Sequence, residues 1–207
     1  MFDVNVLTLV EQDRNAPESP GQRDRARYVA WLQQPLRQLD FCIDGVLLSE
    51  RLRALDVPRP ETFGLDPFDL LSVADLAWPA EAACSLRQLA GAAPRSEDWP
   101  LAPGRLPVFV CPMCADLGCG AITVHVARGP GRVTWSDVRM ENGYSEPSDV
   151  IDLSALGPFT FDAAAYEAAL LSPTGVLDAL AVDELAAHAK WKANRGFRGL
   201  VEQLRDR

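Results

Sequence analysis

No apolar run in this chain approaches the roughly eighteen residues that a helix needs to cross a bilayer, which argues against a helical membrane protein. Phosphate-binding glycine loops, dinucleotide fingerprints and nucleophile elbows are also missing, so the familiar nucleotide-dependent and serine-hydrolase chemistries have no sequence support. There are only two histidines: His188 lies far in sequence from any partner nucleophile, and His125 reads as a surface or interface residue. No Lys or Arg occurs from Met140 to Ala189, whereas Glu141, Glu146, Asp149, Asp152, Asp162, Glu167, Asp178, Asp183 and Glu184 all fall there. An acidic segment of this kind disfavours nucleic acid and anionic membranes, and favours a basic protein partner. No internal repeat or low-complexity tract interrupts the chain.

What is present suits a soluble globular protein. The 207 residues are 48% hydrophobic and 24% charged, with a net charge of −9. That length is enough for one domain with a substantial core. The start, MFDVNVLTLVEQD, carries acidic Asp3 where an export signal would be basic, so the cytoplasm is the expected compartment. The five cysteines are odd in number and three are clustered, unlike a secreted disulfide framework.

Alternation over Phe2–Val10 predicts a short strand, followed by a polar loop from Glu11 to Asp24. Tyr28–Leu39 suits a helix interrupted by Pro35, or a strand and turn. Leu39–Ser49 predicts two strands around Asp44-Gly45, a dipeptide favoured in tight hairpins. Ala80–Ala90 predicts a helix with Pro79 in its first turn and Gly91 at its C-cap. Pro-rich stretches, Val57–Phe68 and Pro94–Pro107, read as connectors. Pro107–Val110 is the next strand, and Ala121–Ala127 with Val133–Met140 forms a hairpin around Arg128–Arg132. Asp162 is the expected N-cap of the following helix, with Phe161 and Tyr166 at hydrophobic-staple spacing. Pro173 ends that helix and opens another, with Ser172 as its N-cap. The prediction is a single α+β domain over 1–207: an antiparallel sheet, strand-rich with one helix through residue 140, then helices over 160–207.

The chemistry-bearing stretch is Val108–Thr123, VFVCPMCADLGCGAIT, which gathers Cys111, Cys114 and Cys119 between two strand-like runs. C-P-x-C after a strand suggests a dithiol oxidoreductase using Cys111 and Cys114, since a helix N-terminus stabilises a thiolate. The two glycines that follow, Gly118 and Gly120, lead into a strand instead of the long helix such a site needs. C-x2-C-x4-C also approaches a zinc knuckle, with Cys111, Cys114 and Cys119 as metal ligands and a fourth ligand still required. His125 is poorly placed to supply it, because six strand residues put it roughly 20 Å from Cys119. Asp116, Cys42, Cys84 or His188 would have to converge in space. The third reading is reduced thiols packing a tight turn.

The string CPMCADLGCGAITVHV, continuing through Val133, Trp135 and Asn142, resembles a group of uncharacterised bacterial proteins frequent in actinobacteria. They share a CPxCxDLGCGAxT core and a later FxFDxxxYExAL stretch, here Phe159–Leu170. The resemblance covers about Arg105–Leu171. It implies that Cys111, Cys114, Asp116, Cys119 and Gly120 form one structural unit, and some such proteins are labelled oxidoreductases.

From the residues themselves, binding is expected over catalysis, with no catalytic residue assigned. The leading expectation is a non-enzymatic protein-binding module, such as an immunity or antitoxin-like inhibitor, whose Glu141, Glu146, Asp149 and Asp152 face a basic partner. A thiol enzyme and a zinc-stabilised structural domain are the alternatives.

Overall fold

A computed structural model of the chain describes residues 4–13, 37–57, 71–76, 78–95, 101–110, 117, 120–142, 150–183 and 185. It is an α+β protein built on antiparallel strands, with helices at 79–90 and in the C-terminal part among the described residues. Strand β1 (Leu7–Asp13) pairs with β2 (Arg37–Ile43), which pairs with the short β3 (Val46–Leu47). A second sheet runs β4 (Leu71–Ser72), β5 (Arg105–Val110), β6 (Ala121–Gly129) and β7 (Arg132–Glu141). Strand β7 carries both β8 (Ile151–Asp152) and β9 (Phe159–Asp162) on its far edge.

The two sheets are joined at both ends. On one side the segment after β4 bonds to β2, through Leu39 N to Ala74 O at 3.0 Å and Leu76 N to Arg37 O at 2.9 Å. On the other, Asn5 N donates to Thr160 O at 2.7 Å, and Thr160 N donates back to Asn5 Oδ1 at 2.8 Å. The pairings therefore close into a ring, a small barrel in which the edge groups of the closing strands find partners.

Trp135 is fully buried at the centre of this ring, with Phe41 at 5.5 Å, Phe161 at 5.4 Å and Tyr166 at 6.0 Å between ring centroids, all edge-on. Its Nε1 donates to the Tyr166 hydroxyl at 3.0 Å, and that hydroxyl donates to Leu89 O at 2.8 Å. Burial pushes the Tyr166 phenol well above its ordinary range, so it serves as a neutral hydrogen-bonding strut.

The α-helices among the described residues are α1 (Leu48–Arg53), α2 (Pro79–Ala90), α3 (Ala163–Leu171) and α4, residues 174–183. Pro79 opens α2, and Gly91 ends it in the left-handed region at φ 79°, as its sequence predicts. Asp162 caps α3 by accepting from Ala165 N at 3.0 Å, and Phe161 stacks on Tyr166 at 5.4 Å. Arg128, from the β6–β7 hairpin, binds Leu89 O and lies 5.7 Å over the Tyr166 ring. One side chain thus holds the hairpin, α2 and α3 together.

Several boundaries differ from the sequence reading. Strand β1 continues through Glu11–Asp13, where a loop was expected, because its ladder persists against β2 and Glu11 meets Arg37 at 2.6 Å. The second arm of the Asp44-Gly45 hairpin is only Val46–Leu47. The chain then turns into α1, a short helix where the reading had a strand, which buries Leu48 and Leu52 one turn apart. Ser172 is not an N-cap: it keeps helical angles, and α4 begins after Pro173, whose carbonyl accepts from Leu177 N at 3.1 Å. Most of Tyr28–Leu39 and of the Pro-rich stretch Val57–Phe68 lies outside the described residues, as does the chain beyond 185.

Candidate functional site

Val110 closes β5 directly opposite Ala121, the first residue of β6. The loop that carries the three cysteines leaves and rejoins the sheet at that pair. Cys111, Cys114, Asp116 and Cys119 lie outside the described residues, and so does their fitness for zinc or dithiol chemistry. Two described points anchor the loop: Leu117 is 9% exposed, and Gly120 N donates to Leu117 O at 3.0 Å. Gly120 has φ 121°, a conformation that glycine alone adopts readily.

The same sheet carries a polar cluster that the sequence did not announce. Arg105 opens β5, and its side chain, 3% exposed, runs across β6. Its Nε donates to Glu141 Oε1 at 2.6 Å and to Thr123 Oγ1 at 3.1 Å; Nη1 donates to Asp137 Oδ2 at 2.9 Å. Thr123, fully buried, also donates its hydroxyl to Glu141. Asp137 then accepts from Arg139 Nε at 2.7 Å.

A bulge positions this cluster. Thr123 pairs with Arg139 and His125 with Ser136, so Val124 faces both Asp137 and Val138. Asp137 occupies the left-handed region at φ 51°, which turns its carboxylate back between the two arginines. On β5 the ladder slips at Pro107, which has no N–H to give it. Two cations and two carboxylates balance here, in a network that ties the start of β5 to Glu141 at the end of β7 across Thr123 on β6. A compensated network anchored on the buried Arg105 and Thr123 specifies geometry, with Asp137 and Arg139 at its exposed edge.

The acidic residues expected to face a partner separate. Glu141 is turned inward with its side chain 11% exposed, engaged by Arg105 and Thr123. Asp152 is exposed, and its carboxylate accepts from Ser154 N at 2.8 Å. Hydrogen bonds from the Ser154 side chain and backbone hold the Asp152 carboxyl below its usual range. Glu146 and Asp149 lie outside the described residues. Further along, Asp162, Glu167, Asp178 and Asp183 are exposed on or beside α3 and α4. Arg87 pairs with Asp178, and Arg128 stands 3.8 Å from Glu167.

His125 packs over Gly104, where an added Cβ would come within 2.8 Å of Nε2. It therefore faces the end of β5 away from the cysteine loop. Cys42 is buried in β2, Cys84 is exposed on α2, and both are free thiols. His188 lies outside the described residues. Among the described residues no group of three or more His, Cys, Asp and Glu is arranged to hold a metal ion, and no helix is long and apolar enough to cross a membrane. No protein-family model, curated protein or solved structure matches the chain.

Proposed function

We propose that this protein is a non-enzymatic binding module that engages a basic protein partner through its acidic C-terminal face, in the manner of an immunity or antitoxin protein. What supports the reading is the exposure of Asp152, Asp162, Glu167, Asp178 and Asp183 on a segment that has no Lys or Arg of its own from Met140 to Ala189. Only Arg87 and Arg128, reaching over from other elements, answer any of them with an ion pair among the described residues. The surplus negative field steers a cationic partner into place and rejects acidic competitors.

The experiment is a pull-down from the native host with the tagged full-length chain, at low and at high salt. The reading expects one stoichiometric basic protein that is retained at low salt and released at high salt. Recovery of no basic protein at low salt counts against it.

A further inference from the structure

We draw no further inference here: the strongest candidate, the exposed apolar surface of helix α4 around Val176, Leu180, Val182 and Leu185, carries none because nothing in the structure shows what covers it.

Discussion

Arg105 on β5 reaches across the full width of β6 to donate to Glu141 on β7, with 2.6 Å between Nε and Oε1. Neither strand touches the other through its backbone, so this pair and the Thr123 hydroxyl between them form a side-chain tie across three strands. Glu141→Ala leaves the guanidinium buried with Asp137 as its remaining carboxylate, and should cost about 3 kcal/mol. Arg105→Met with Glu141→Gln should recover part of that loss. A double-mutant cycle by urea denaturation should give a coupling of at least about 1 kcal/mol; additive losses would show that the tie contributes nothing of its own.

The Trp135–Tyr166–Leu89 chain makes a sharper prediction. Tyr166→Phe keeps the ring but removes the hydroxyl, leaving the buried Trp135 Nε1 without its acceptor. The expected loss is about 1–3 kcal/mol, read from the shift in the urea midpoint at constant m-value. Because Tyr166 comes from α3 and Leu89 from α2, amide exchange should accelerate in both helices together.

Closure of the ring is tested at Asn5. Its side chain accepts from Thr160 N and donates to Asp44 at 2.6 Å, while Asp44 takes Val6 N at 2.8 Å. Asn5→Ala should destabilise by about 1 kcal/mol and speed amide exchange at Thr160, with little change at Val124 in the middle of the sheet. Unaltered exchange at Thr160 would mean that the ring does not depend on this clasp. The Val6 and Asn5 hydrogen bonds also hold the Asp44 carboxyl below its ordinary value.

Asp40 on β2 is 1% exposed, and its Oδ1 has no hydrogen-bond partner. Desolvation raises its carboxyl above the ordinary 3.8, against the lowering effect of Ser49. A folded value above the unfolded one means that the ionised form opposes folding. That cost is absent below the unfolded value and complete above the raised folded one. Asp40→Asn should therefore melt higher than the parent near neutral pH, with the gap closing as pH falls toward 4. A gap that widens on acidification would contradict the assignment.

How much of this was legible depended on how local each device is. Pro79 and Gly91 bound α2 by their own backbone constraints, and Asp162 with Phe161 and Tyr166 starts α3 within six residues, so both helices could be read directly. Asp44-Gly45 turns its hairpin through two positive φ values, 53° and 79°, which the dipeptide favours. Leu48–Arg53 could not be read, since the short apolar run Val46–Leu48 suits strand and helix alike until its burial against β2 decides. Arg105 meets Glu141 across 36 positions, and Asn5 meets Thr160 across 155; no local pattern carries either contact. Of the candidate site, the acidic face was visible as composition. The inward turn of Glu141 was not, because it depends on which strand neighbours which.

The measurement closest to the central claim is the salt dependence of partner binding with the full-length chain and with Asp152→Asn, Glu167→Gln and Asp183→Asn combined. All three side chains are exposed, so the variant should fold with a similar melting temperature. The expected result is a basic partner recovered from native-host lysate by the parent at low salt, with the variant recovering at least about tenfold less. Equal recovery by parent and variant, unchanged by salt, would contradict an acidic binding face.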